Sequence, residues 1–114
     1  LNLLANAKDA ITEKELNMKD NQPYEKQIDI TCFKLKDWVV STIRDNGIGM
    51  DSDTIDSAFE PFFTTKDVNK GTGLGLSIVY GIIMEMNGNI SITSEAGVFS
   101  EVRIELPLVS NKTI

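Results

Sequence analysis

The stretch DNGIGMDSDTIDSAFEPFFTTKDVNKGTGLGLS, residues 45–77, decides how this chain folds. It opens and closes on glycine clusters, DNGIGM at 45–50 and GTGLGLS at 71–77, which hold five of the eight glycines in 114 residues. Glycine is costly inside regular structure, so this density beside apolar residues calls for backbone that turns sharply or lies close against a ligand. Asp45 stands beside one cluster, Lys66 and Lys70 beside the other, and the aromatic segment FEPFFTTK lies between them. The arrangement predicts a nucleotide pocket.

Upstream of Asp45, Trp38 to Arg44 reads as a strand, and so does Lys26 to Phe33, where Ile28, Ile30 and Cys32 alternate with Gln27, Asp29 and Thr31. That alternation predicts one covered face, and Leu35-Lys36-Asp37 is the expected hairpin turn. Earlier still, Leu4, Ala7 and Ile11 share one face of a helix running from Asn2 to about Leu16. Nothing precedes that helix to start it, so the chain is expected to be a piece of a longer protein. Capping the start of this helix is the plainer reading of Asn2.

Downstream, a short helix is predicted over Ser52 to Phe59, capped by Asp51 or Ser52 and limited by Pro61. Ile78, Val79, Ile82, Ile83 and Met86 give the segment Leu74 to Met86 a wide apolar stripe, as for a helix lying on a sheet, and Asn87-Gly88 ends it. Two strands follow, Asn89 to Glu95 and Phe99 to Leu106, joined through Ala96-Gly97-Val98. In the last of them Glu101, Arg103 and Glu105 are expected to face water. These elements predict an α/β (α+β) two-layer sandwich over residues 1–114, a single domain whose mixed, mostly antiparallel sheet carries helices on one face.

Composition narrows the function. With 41% hydrophobic and 25% charged residues the chain is an ordinary globular protein, and its formal charge of −6 argues against nucleic acid or an acidic lipid surface as partner. No apolar run reaches the length of a membrane span, so direct membrane contact is not expected. Cys32 is the single cysteine, which suits a reducing, cytoplasmic setting and a core position. GxxxxGK[ST] is absent, GTGLG does not have the spacing of GxGxxG, and the acidic run 51–56 lacks the glycine and distal glutamate of a calcium loop.

The ordered set NLLANAKDA, DNGIGM, FEPFFTTK, GTGLGLSIV and a last strand ending in LP resembles the catalytic ATP-binding domain of sensor histidine kinases, within the GHKL ATPase and kinase group. The resemblance covers nearly the whole chain. It implies the group's two-layer fold and ATP and magnesium as ligands. Asn6 corresponds to the asparagine whose side-chain oxygen, a hard donor, ligates magnesium. A surface asparagine of a helix is the alternative.

By the same resemblance Asp45 accepts a hydrogen bond from the exocyclic amine of adenine, while Gly47 and Gly49 let backbone pass against the base. A carboxylate only accepts, so it favours adenine over guanine at that position. A turn-forming Asp before Asn-Gly is the plainer reading. Ser100 holds the final-strand hydroxyl position near that aspartate, or is a buried serine bonded to backbone. Gly71, Thr72, Gly73, Leu74, Gly75 and Leu76 correspond to the lid end and helix opening that face the phosphates. Lys66, and more weakly Lys70, supply positive charge to the β- and γ-phosphates or are solvated lysines. Phe59, Pro61, Phe62 and Phe63 correspond to an aromatic box and read more as packing than chemistry.

Two departures and one absence refine the expectation. Where the group's hydrolases carry a water-activating glutamate, four residues before the metal asparagine, this chain has Asn2, whose amide is a very weak base. Transfer to a protein histidine therefore fits better than hydrolysis, with Asn6 and Lys66 as the catalytic pair and Asn2 lining the nucleotide site. Asp9 replaces the usual basic residue three places after that asparagine. The alternative reading is a catalytically silent nucleotide-binding regulatory module. The chain contains no histidine, so the resemblance implies an acceptor on a separate dimerisation domain and onward passage to a response-regulator receiver domain.

Overall fold

The computed structural model describes residues 2–18, 22–60 and 75–108. In chain order these form α1 (Asn2–Leu16), β1 (Ile28–Leu35), β2 (Trp38–Asp45), α2 (Ser52–Ser57), α3 (Gly75–Glu85), β3 (Asn89–Glu95) and β4 (Phe99–Pro107). The strands make one sheet in the order β1-β2-β4-β3, and every pairing among them is antiparallel. The two-layer α+β expectation holds. β1 and β2 are joined by Lys36-Asp37, with Lys36 at φ 55°, so Leu35 pairs with Trp38. β3 and β4 turn through 96–98 with Gly97 at φ 80°.

Pairing register sorts the side chains into two faces. One carries the rows Ile30–Ile43–Val102–Ile92 and Cys32–Ser41–Ile104–Ile90; the other carries Asp29–Arg44–Glu101–Thr93 and Thr31–Thr42–Arg103–Ser91. The helices take the apolar face: α1 packs against β2 and α3, while α2 and α3 pack against β3. Ala7 and Ile11 of α1, Ala58 and Ile83 are buried there. Helix α3 ends in a Schellman geometry, with Asn87 at φ 59° and the Gly88 amide donating to the Ile83 carbonyl at 2.9 Å. A Cβ on Gly88 would meet the Glu105 carbonyl oxygen at 2.5 Å, so the helix end lies directly on β4.

Four expectations about burial need correction. β1 is exposed along its whole length, Ile30 to 61%, because it is an edge strand and the helices sit over β2 and β3 instead. Cys32 is accordingly exposed, not a core residue, with the Ser41 hydroxyl 3.5 Å from its sulfur. Of the apolar stripe on α3 only Ile83 is buried, while Ile78, Ile82 and Met86 remain about half exposed. The outer face of β4 is not simply wet: Glu101, Arg103 and Glu105 are half-buried, with ion pairs from Arg44 to Glu101 and Arg103 to Glu105. Val40, between Phe33 and Glu105 on that face, is fully buried.

Candidate functional site

β2 delivers Asp45 to the end of the sheet, where the residue is buried to 6% exposure. Its Oδ1 accepts the backbone N–H of Gly47 at 2.9 Å. Burial pushes its pKa above the ordinary carboxylate value, and the Gly47 amide opposes that only in part. Ionisation of Asp45 is thereby less favourable than that of an exposed carboxylate.

The loop after Asp45 is stitched to two elements. On one side the Ile48 amide donates to the Ala10 carbonyl of α1 at 3.0 Å, and a Cβ on Gly47 would strike the Ala10 backbone at 2.5 Å. On the other, the Gly97 amide donates to the Ile48 carbonyl, and a Cβ on Gly49 would overlap the Glu95 carbonyl oxygen. Gly49 also adopts φ 72°, which side chains disfavour. The absence of side chains at 47 and 49 is thus required by the protein's own backbone contacts.

Asn46 ties this loop to segments far away in sequence. Its side-chain oxygen accepts the Gln27 amide at 2.9 Å, and its side-chain nitrogen donates to the Glu25 carbonyl at 2.6 Å. Its backbone carbonyl accepts the Tyr24 hydroxyl at 2.7 Å and the Lys14 ammonium at 3.3 Å, with Lys14 also 4.9 Å from the centre of the Tyr24 ring. Burial, then the charge of Asp45, raises the Tyr24 pKa.

Across the sheet, Asp45 pairs with Ser100, and Ser100 with Ser94, in one row on the helix face. Ser100 is buried to 6%. Its hydroxyl lies 2.9 Å from that of Ser94, which also contacts the Phe99 carbonyl at 2.6 Å and the Met50 amide at 2.8 Å.

Of the remaining residues anticipated from sequence, Asn6 is half-buried on α1, one turn before Ala10 and on the same side of the helix. Asn2 is the first residue of α1, while Gly75 and Leu76 open α3. Lys66, Lys70, Gly71, Thr72, Gly73, Leu74, Pro61, Phe62 and Phe63 lie outside the described residues. Phe59 packs on Tyr80 with ring centres 5.2 Å apart, joining α2 to α3 as a packing residue. Among the described residues no three His, Cys, Asp or Glu side chains gather as a metal site. Sequence reading missed Asn46, Tyr24 and Ser94. For Ser94 the signal was present, because a three-residue turn at 96–98 fixes Ser94 opposite Ser100.

A buried acid at the end of an inner strand, a glycine loop wedged between a helix and a hairpin, and a four-stranded sheet under helices together define an ATPase-type domain. Residues 1–110 match the family described as histidine kinase-, DNA gyrase B-, and HSP90-like ATPase, and the chain belongs to that family. Its relatives are sensor histidine kinases. It is 52% identical over 71 residues to the sensor kinase CckA of Brucella abortus (strain 2308), covering 62% of this chain and 8% of that protein. To the two-component sensor PprA of Pseudomonas aeruginosa it is 35% identical over 107 residues, 93% of this chain and 11% of that protein. The chain thus spans about a tenth of the length of these relatives.

Solved structures agree on the fold. The mycobacterial sensor histidine kinase MprB superposes with a TM-score of 0.73 at 22% identity, over 94% of this chain and 66% of that one. Full-length ShkA in complex with AMPPNP superposes with a TM-score of 0.76 at 24% identity, over 96% of this chain and 20% of that one.

Proposed function

We propose that residues 1–114 form the single catalytic domain that binds Mg-ATP in a cytoplasmic part of a two-component sensor histidine kinase and presents the γ-phosphoryl group to a histidine on a separate dimerisation domain. The observation that carries this reading is the buried Asp45 carboxylate, whose Oδ1 is taken by Gly47 while Oδ2 is left to accept from a ligand. An exocyclic amine of adenine supplies the matching donor. Family membership, and the complex of full-length ShkA with AMPPNP, support ATP as that ligand.

In this reading Asn6, one turn from the Asp45 loop along α1, offers its side-chain oxygen to the cation. Magnesium, when bound there, would offset the negative charge of the phosphates. Asn2 lines the same helix end. Lys66, Gly71, Thr72, Gly73, Leu74, Gly75 and Leu76 are the residues assigned to the phosphates in this reading. The domain's work is to position the phosphoryl group and stabilise its charge, with a response-regulator receiver domain as the onward acceptor.

Calorimetric titration with Mg-ATP tests binding: Asp45→Ala is expected to weaken it by about 1.5–3 kcal/mol, the worth of a charge-assisted hydrogen bond. Asn6→Ala should lower magnesium-dependent affinity while leaving magnesium-free adenosine binding little changed. Transfer is tested by adding a matching histidine-bearing dimerisation domain and following labelled phosphate. Asp9, where the family usually carries a basic residue, favours a second reading as a silent nucleotide-responsive module, and that reading predicts binding without label on histidine.

A further inference from the structure

The row Asp45–Ser100–Ser94 fixes where each proton sits. The Phe99 carbonyl has no proton, so at 2.6 Å the Ser94 hydroxyl must donate to it. The Met50 amide carries its own proton, so at 2.8 Å Ser94 accepts from it. A hydroxyl has one proton and two acceptor sites, and Ser94's proton is thereby committed. The 2.9 Å contact between the two serines then requires Ser100 to donate to Ser94. The Ser100 proton is consequently committed to Ser94, which leaves Ser100 with lone pairs alone to offer on the row it shares with Asp45.

We infer that Ser94 is a specificity-determining positioning residue: by taking the Ser100 proton it makes the strand ends present two acceptors side by side, so the site takes a ligand amino group and rejects a carbonyl. Directly paired residues on adjacent antiparallel strands have Cβ atoms about 4.5–5.5 Å apart, close enough for one amine to address both. The described residues bring no donor to this pair apart from the Gly47 amide on Oδ1. Ser94 itself touches no ligand. Its valence is filled by Met50, Phe99 and Ser100, so it acts only through the direction of the Ser100 hydroxyl.

The inference rests on the Mg-ATP reading and sharpens it. ATP and inosine triphosphate carry an amine and a carbonyl at the same ring carbon and differ also in the proton on the neighbouring ring nitrogen. They are titrated in competition against the 114-residue chain, and the ratio is compared between variants so that the second difference cancels. Ser94→Ala releases the Ser100 proton to meet a carbonyl, so the ATP-to-ITP affinity ratio should fall about 3- to 10-fold, the worth of one neutral hydrogen bond. Ser94→Thr, which keeps the hydroxyl, should restore the ratio. A purely structural Ser94 would weaken both nucleotides alike and leave the ratio unmoved.

Should Ser94→Ala fail to fold, Ser100→Ala decides by sign. Loss confined to ATP means Ser100 accepts, as inferred; loss confined to ITP means it donates and overturns the inference. An equal effect on both nucleotides also overturns it. Asp45→Ala separates the two levels. If the wild-type chain binds neither nucleotide, or Asp45→Ala leaves ATP affinity untouched, the Mg-ATP reading fails and takes this inference with it. If Asp45 matters and the ratio ignores Ser94 and Ser100, only the role of Ser94 is lost.

Discussion

Replacing Asp45 with asparagine should stabilise the ligand-free protein and cripple its ligand binding at once. The side chains have nearly the same shape, and the Asn carbonyl can keep the 2.9 Å bond from the Gly47 amide. That choice forces the NH2 toward the pocket, where a donor then faces the donor of adenine's amine. One charge-assisted bond is lost, about 1.5–3 kcal/mol, or roughly 10- to 150-fold in Kd. The opposed donors make Asp45→Asn at least as damaging as Asp45→Ala, although it disturbs the fold less.

The stability effect follows from proton linkage. Because the folded-state pKa of Asp45 is raised by burial, folding favours its protonated form. That contribution is complete below the unfolded carboxylate pKa and is lost as pH rises through the folded value. At neutral pH the wild type therefore carries a buried charge that Asp45→Asn removes. Thermal unfolding between pH 4 and 8 should show the variant melting above the wild type at pH 7, with the gap closing toward acid. A variant that melts lower at pH 7, or binds Mg-ATP with unaltered affinity, would refute the reasoning.

Other perturbations separate the parts of the site. Gly49→Ala places a Cβ on the Glu95 carbonyl at φ 72° and should cost about 2–3 kcal/mol in chemical denaturation. Gly81→Ala, in α3 with nothing within 4 Å of the added carbon, should instead stabilise by about 0.5–1 kcal/mol; equal effects from the two would defeat the contact argument. Tyr24→Phe removes the bond to the Asn46 carbonyl and should cost about 0.5–1.5 kcal/mol, and combining it with Asn46→Ala should cost less than the sum of the two. Asp51 caps α2 through the Thr54 amide at 2.8 Å, which holds its carboxyl below the usual range. Its contribution is present above the unfolded carboxylate pKa and fades as pH falls through the lowered value. An NMR titration placing Asp51 at or above the ordinary carboxylate pKa would contradict the cap.

Which elements form was legible from periodicity and turn residues. Helix α1, the Asn87-Gly88 stop and both C-terminal strands fall where the sequence pattern puts them, because 3.6- and 2-residue repeats are local properties. The expected turn Leu35-Lys36-Asp37 tightens to Lys36-Asp37, with Leu35 paired in β1. Which faces become covered was not legible, because cover comes from other elements. Ile28, Ile30 and Cys32 alternate cleanly, yet their strand lies at the sheet edge, where the pattern alone supplies no neighbour. Helix α3 is apolar on most sides, so no single stripe marks Ile83 as the residue that meets the sheet. Asn46 looked like a turn residue because its partners Tyr24, Glu25 and Gln27 lie about twenty positions away.

The glycines carry a different lesson about the site. Read from sequence, Gly47 and Gly49 make room for a base; in the fold, helix backbone at Ala10 and hairpin backbone at Glu95 already fill the space their side chains would need. A glycine-rich loop of this kind therefore reports how tightly it is wedged, whether or not a ligand ever arrives. Information about the ligand resides in groups whose valence the protein leaves incomplete. At this end of the sheet those are the second oxygen of Asp45 and the lone pairs of Ser100, on two largely buried residues, and both are acceptors once the protons are assigned. Two adjacent acceptors, one of them charged, repel each other, and the repulsion grows as the surroundings become less polar. That repulsion is offset when a donor such as an amino group occupies the space between them.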